Sequence, residues 1–409
     1  MTSVQRDDLT PIPLRPDISF IAALTERAGD SFKRCYQCGT CSVVCPFAFQ
    51  GTQLPRKEML LAQWGLKEEL FDSPNLWICT TCGNCARMCP RDVDIPGTIR
   101  AARELFMLER GISTELATAF ENTVRHGNPL GMPARRRAEW TAEAGVPVPV
   151  MAQLGRPVDV LFFTECYWSY HPRGVQAARA MARTLTTLGV DFAILGTEER
   201  CVADSQRLAG ELGIFEEAAE HNIGLLTKYD FRRLVTPDPH AFNAFRNLYP
   251  ALGGSWDVLH YTQLLAQHIP QMELRPIADR TVTFHDPCYL GRHNGEFEAP
   301  RRLLEAIPGL TLKEMAHCRA NGYCCGGGGG GMWNSGFLKE HVDERLAEVR
   351  IREAVATGAE VLAVCCPFEV SLFEDAVKST GNDGRIIVRD IIELLDESLR
   401  SAPAHGADG

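Results

Sequence analysis

The sequence predicts an α+β multidomain chain: a helical N-terminal domain followed by two tandem α/β domains that repeat one another. Three observations predict it. The first 150 or so residues show apolar positions at helical spacing and no β-rich run. From Val158 onward, short β-rich runs alternate with amphipathic stretches, the pattern of mostly parallel strands layered with helices. The cysteine and acidic positions that follow those strands then recur at a nearly constant offset, as in a duplicated domain.

Taken in order, Leu54 to Leu70 has helical spacing, and so does Ile95 to Gly111. The Pro and Gly residues of 127–133 break the pattern, and Val146 to Pro157 reads as a linker. The expected strands are Val158 to Phe163, Asp191 to Leu195 and Leu234 to Val235, then Thr281 to Phe284, Val361 to Val364 and Arg385 to Val388. Cys166 corresponds to Cys288, Cys201 to Cys325 and Asp238 to Cys366, at offsets that grow from 122 to 128 residues. The expected domains are therefore 1–150, 151–275 and 276–400, with 401–409 a disordered tail.

A chain of 409 residues with 45% apolar content can bury two or three cores. Its 16 cysteines, with no basic and apolar leader, point to a reducing, cytoplasmic compartment where thiols serve as ligands. No apolar stretch approaches the roughly 18 to 20 residues that span a bilayer, so attachment at the inner face of a membrane would be peripheral, through a partner. The net charge of -10 and the lack of a basic cluster exclude nucleic acid as a partner.

Eight of the cysteines form two copies of one run, Cys35-x2-Cys38-x2-Cys41-x3-Cys45-Pro46 and Cys79-x2-Cys82-x2-Cys85-x3-Cys89-Pro90. This is the ligand spacing of a two-cluster ferredoxin, in which three thiolates wrap one cube and the fourth reaches the other. Cys35, Cys38, Cys41 and Cys89 are assigned to one [4Fe-4S] cubane cluster, and Cys79, Cys82, Cys85 and Cys45 to the second. Structural zinc favours two separated ligand pairs and disulfide scaffolds are short, so neither predicts this run twice.

The second half carries Cys288 in His-Asp-Pro-Cys-Tyr, the pair Cys324-Cys325 ahead of six glycines, and the pair Cys365-Cys366 ahead of Pro367-Phe368-Glu369. Adjacent cysteines suit neighbouring irons of an atypical cluster better than two corners of one zinc tetrahedron. Glycines 326–331 lack a following Lys-Ser or Lys-Thr and are not a phosphate loop. Without side chains, they let backbone N–H groups approach cluster sulfides or a substrate.

With these residues in view, the chain resembles a fusion of the helical two-cluster ferredoxin subunit and the cysteine-rich CCG subunit of heterodisulfide reductase, from about Phe20 to Leu399. The resemblance implies an oxidoreductase subunit with a third, noncubane-type [4Fe-4S] cluster that acts on a disulfide. Cys288, Cys324, Cys325 and Cys366 match the family ligands, and as the cluster site they would be the catalytic set. Glu369 stands where the last cysteine belongs, leaving Cys365 or Glu369 to complete the ligands. In the first half Cys166 and Cys201 remain, but Arg200, Asp238 and Ala241 replace the other ligands, so that half is expected to be a packing partner. Cys166 and Cys201 are then either buried thiols or redox-active side chains.

Two functions follow as expectations. In the first, electrons pass through the two cubes to the C-terminal cluster and reduce a small-molecule or protein disulfide or related substrate. In the second, the chain is a non-catalytic relay between a flavoprotein and a membrane cytochrome, quinone-reactive or acyl-CoA-reducing partner, alongside other iron-sulfur subunits. No dinucleotide fingerprint is present, so flavin belongs to a partner. His285, His293 and His317 are read mainly as structural hydrogen-bonding residues near the cluster cysteines, with proton donation the alternative role. Trp333 and Phe368 are expected to pack around the C-terminal cluster, and Trp77 to cap the second cube. Cys318 matches no family ligand.

Overall fold

The computed structural model describes residues 14–278 and 280–400; the tail expected at 401–409 lies outside them. The N-terminal region is helical throughout. Asp17 caps Ile18–Ala28 by accepting from the Phe20 backbone N–H, and Gly29 ends that helix. Between the two cysteine runs, the expected single helix is two, Arg56–Gln63 and Lys67–Phe71. The break is Gly65, whose φ of +68° is left-handed and whose backbone lies against Asp17, where a Cβ would meet the Asp17 carbonyl at 2.7 Å.

After the second run, Ile95–Arg110 starts on an Asp94 cap with Pro in its first turn and ends at Gly111. Its buried face includes Ile95, Ile99, Ala102 and Leu105, and also Arg103. Thr114–His126, capped by Ser113, follows before the turns of 127–150. The expected linker is partly structured: Met151–Leu154 is one helical turn, and Val150 bridges to Ile194 beside the first sheet.

The remainder forms two parallel sheets of identical order. The first contains β1 (Val158–Phe162), β2 (Phe192–Ile194), β3 (Phe231–Thr236) and β4 (Val258–His260), ordered β2-β1-β3-β4. The second contains β5 (Arg280–Phe284), β6 (Leu310–Leu312), β7 (Val361–Val364) and β8 (Ile387–Asp390), ordered β6-β5-β7-β8. The shared order is what the repeating offsets predict. β4 and β6, each of three residues, were not among the strands expected from the sequence.

One apolar core joins both sheets, with Leu161, Phe162, Leu234 and Val235 from the first and Val282, Phe284, Val361 and Ala363 from the second. Burying a side chain of this size contributes about 1.5 to 3 kcal/mol. Polar contacts fix the register of the halves: Arg183 pairs with Asp396 at 2.6 Å, and the Tyr261 hydroxyl donates to Asp390 at 2.6 Å. Among the described residues no helix is long and apolar enough to cross a membrane.

Candidate functional site

The crossed pairing of the two cysteine runs is visible in two cavities. Cys35, Cys38, Cys41 and Cys89 line one, with Arg56, Met59 and Ile95. Cys45, Cys79, Cys82 and Cys85 line the other, with Leu54, Thr80, Thr81 and Pro96. Each run makes one turn of helix, Thr40–Val43 or Asn84–Arg87, entered through a left-handed glycine, Gly39 or Gly83. That turn folds the first three thiols inward and leaves the fourth to cross. Cys38 is exposed, whereas burial, reinforced by neighbouring thiols, pushes Cys45 and Cys85 well above the usual thiol range. Four converging thiols are a donor set suited to an iron cube, which takes them as thiolates.

The third group forms at the carboxyl edge of the second sheet, where open α/β sheets place their sites. Cys288 follows β5, Cys324 and Cys325 follow β6, and Cys366 follows β7. Cys324 is held far below the usual thiol range by hydrogen bonds from Cys288 and Cys325, with help from the Thr80 hydroxyl and the Gly326 N–H, 3.3 Å from its Sγ. Cys288 and Cys325 are raised correspondingly, by donating to Cys324 and by burial. Glu369, His285 and Cys325 each bring a ligand atom within 4.8 Å of the others. Cys365 lies in the apolar core, fully buried, together with residues of both sheets.

The glycine run does more than approach one sulfur. A Cβ on Gly328 would meet the Thr80 carbonyl at 2.5 Å, and one on Gly329 the Cys79 carbonyl at 2.4 Å. The run therefore lies directly on the loop of Cys79 and Thr80, which lines the second thiol cavity. Arg103 clamps this junction, donating to the carbonyls of Leu76, Leu208 and Gly329 at 2.8 Å and of Cys79 at 2.6 Å. Arg292 adds a bond to the Cys82 carbonyl at 2.9 Å. Neither arginine stands out in the sequence, because only the assembled fold turns them toward these carbonyls.

The first half supplies a wall of the third site. His240 stacks on Tyr289, with ring centroids 4.1 Å apart, and is held by Asp204 at 2.8 Å. Tyr167 meets the edge of Phe368 at 5.2 Å, and Trp333 meets Phe368 at 6.1 Å. Trp77 packs on Phe106 and under Arg103. At the equivalent edge of the first sheet, Cys166 and Cys201 are buried with their sulfurs 3.9 Å apart. Asp238 there caps a helix by accepting from the His240 N–H at 2.8 Å, and Ala241 is buried. Two thiols are too few to hold four irons. His293 stacks on Tyr289 against Gly83, while His317 is partly exposed, beside Glu353 and Tyr323. Cys318 is partly exposed and belongs to none of the three groups.

A mainly apolar cavity of about 240 Å³ opens at the third site, with Cys325 and Gly326 in its wall. Met332, Leu338, Val342, Leu346 and Leu372 line it, and Lys339, Arg345 and Asp375 are its charged residues.

Comparison with known proteins agrees with this architecture. A 4Fe-4S dicluster domain matches residues 31–93, and the cysteine-rich domain CCG matches twice, at 160–246 and 282–368. The probable iron-sulfur-binding oxidoreductase FadF of Bacillus subtilis is 35% identical over 82% of this chain and 48% of its own length. The EtfAB:quinone oxidoreductase of Syntrophomonas wolfei is 31% identical over 81% of this chain and 47% of its own. The chain thus spans about half the length of these two relatives. One subunit of the dihydromethanophenazine:CoB–CoM heterodisulfide reductase of Methanosarcina mazei is 31% identical over 89% of this chain and 93% of its own. A crystal structure of a hypothetical protein from Helicobacter pylori shares the fold, with a TM-score of 0.58 at 9% identity over 95% of this chain and 74% of that one. With its dicluster ferredoxin region joined to two CCG domains, the chain belongs to the family of iron-sulfur oxidoreductase subunits that includes this component of heterodisulfide reductase.

Proposed function

We propose that this chain reduces a disulfide or a related thiol-derived substrate at the site of Cys288, Cys324, Cys325 and Cys366, with electrons delivered through two cubane sites. When bound, iron-sulfur clusters supply one-electron transfer at potentials set by charge, hydrogen bonds and exposure. The residues around them do the rest. Exposed Cys38, with Tyr36 60% and Val43 80% exposed nearby, makes the first cube the end a partner can reach. Arg103 and Gly328–Gly329 hold the second cube's loop against the third site. The apolar cavity at Cys325 carries the catalytic reading, since it gives a substrate access to that site while Leu338, Val342 and Leu372 exclude water.

The partners proposed are a flavoprotein on the donor side and a quinone-linked membrane protein, in keeping with the names of the relatives; the location is then cytoplasmic, peripheral at the membrane. The alternative, a relay with its chemistry on a partner, is favoured by the Glu369 and Asp238 replacements of family cysteines.

The test is disulfide reduction by the anaerobically purified protein, with a reduced viologen as donor, comparing wild type with Leu338→Trp. Turnover that drops at least tenfold in the variant, while all cluster EPR signals persist, supports catalysis in this cavity. Absence of turnover in wild type, with EPR signals indifferent to added thiol, establishes the relay.

A further inference from the structure

We infer that the carboxylate of Glu369 is the fifth protein ligand of the C-terminal cluster, with the imidazole of His285 beside it. The inference rests on the third-cluster reading above and concerns which residue completes that site.

Glu369 begins the helix Glu369–Ser379, and its backbone N–H donates to the Cys366 carbonyl at 3.0 Å. One turn therefore carries both Cys366 and Glu369 to the sheet edge. The Glu369 side chain is 1% exposed, and its Oε2 has no hydrogen-bond partner. An unpartnered carboxylate oxygen at such depth is costly unless a cation or a metal meets it or the group takes up a proton. Arg350 makes no bond to it: its Nη1 donates to the His317 carbonyl at 2.9 Å and pairs with Glu353, its Nε goes to His285 Nδ1 at 3.2 Å, and its Nη2 is without a hydrogen-bond partner.

That last bond settles the histidine's tautomer. Arg350 is always a donor, so His285 Nδ1 is an acceptor and its proton sits on Nε2. His285 Nε2 lies 3.3 Å from Glu369 Oε1 and has no well-aligned acceptor. His285 Nε2 and Glu369 Oε1 thus lie close without a formed hydrogen bond, and Oε2 is left for iron. Cys325 Sγ completes the group, within 4.8 Å of both the carboxylate and the imidazole.

Cys365, the other residue able to complete the set by sequence, directly follows β7. Cys365 is fully buried in the apolar core that joins both sheets, whereas Glu369 groups with His285 and Cys325.

The experiment is iron quantitation, EPR and ⁵⁷Fe Mössbauer spectroscopy on anaerobic full-length wild type, Glu369→Gln, Glu369→Cys and Cys365→Ala. The two cubane signals serve as the folding control in each. Wild type should hold about twelve irons, including a minority with the larger isomer shift of oxygen ligation. Glu369→Gln should lose the third signal and about four irons. Glu369→Cys should keep the irons and lose the oxygen-ligated component, and Cys365→Ala should match wild type. Unchanged spectra in Glu369→Gln, loss of the third signal in Cys365→Ala, or its loss in Glu369→Cys would each overturn the ligand assignment. A wild type with only about eight irons would overturn the third-cluster reading beneath it.

Discussion

The guanidinium of Arg103 donates to the carbonyl of Gly329 at 2.8 Å, joining the helix that closes the ferredoxin region to the glycine run of the second CCG domain. The same side chain binds the carbonyl of Cys79, a residue of the second cube's cavity, so one buried cation holds two candidate redox sites in fixed relation. Its charge is offset by four carbonyl dipoles rather than by a carboxylate.

Replacing Arg103 with Met should leave those carbonyls without donors inside the protein. Each unsatisfied group costs about 1 to 3 kcal/mol, so a total loss of at least ~3 kcal/mol is expected. Thermal unfolding under anaerobic conditions should fall by about 3 to 5 °C. A shift below a degree or two would show that the clamp is dispensable.

The glycines of the run should not be equivalent. Gly329 has φ +62° and its Cβ would stand 2.4 Å from the Cys79 carbonyl, whereas a Cβ on Gly327 meets only the Met332 and Leu372 side chains at 3.5 Å or more. Gly329→Ala therefore adds a left-handed penalty of roughly 1 to 2 kcal/mol to a backbone clash. It should slow electron passage from the second cube to the third site, read by rapid-freeze EPR after dithionite mixing. Gly327→Ala should stay within ~0.5 kcal/mol of wild type and keep its rate.

Iron should leave the two cubes in order. Cys38 is exposed at the first, while Cys82 is buried and Cys45 and Cys85 are only partly accessible at the second. With a ferrous chelator and mild oxidant, the EPR signal lost first should be the one missing in Cys38→Ser. Simultaneous loss would mean that both cubes are equally reachable.

Asp390 gives a pH dependence of stability. Burial raises its carboxyl from 3.8 to about 7, against the lowering effects of the Tyr261 hydroxyl and the Ile392 N–H. The folded state then binds a proton that the unfolded state has released, so stability from this group is full below about pH 4 and declines as pH rises through 7. The slope is at most about 1.4 kcal/mol per pH unit. Asp390→Asn keeps the acceptor for Tyr261, and its melting temperature relative to wild type should rise between pH 5 and pH 8. A constant difference across that range would remove Asp390 from the account.

Much of this was legible before the fold. The two cysteine runs repeat a spacing that local turns alone can close, and in the structure the expected sets of four line separate cavities. The duplicated offsets foretold two sheets of one order because insertions between equivalent strands are small. The break at Gly65 was hidden, since the apolar spacing continues through it and only contact with Asp17 reveals the turn.

The sequence by itself determined the dicluster cysteine spacing and the duplicated α/β pattern, because ligand spacing and strand–helix alternation are local properties of the chain. Tertiary structure alone decided that the glycine run lies on the loop of Cys79 and Thr80, that Arg103 clamps it, that Cys365 belongs to the core and that a cavity opens at Cys325. These depend on which faces meet when distant segments pack, and no local periodicity encodes that meeting.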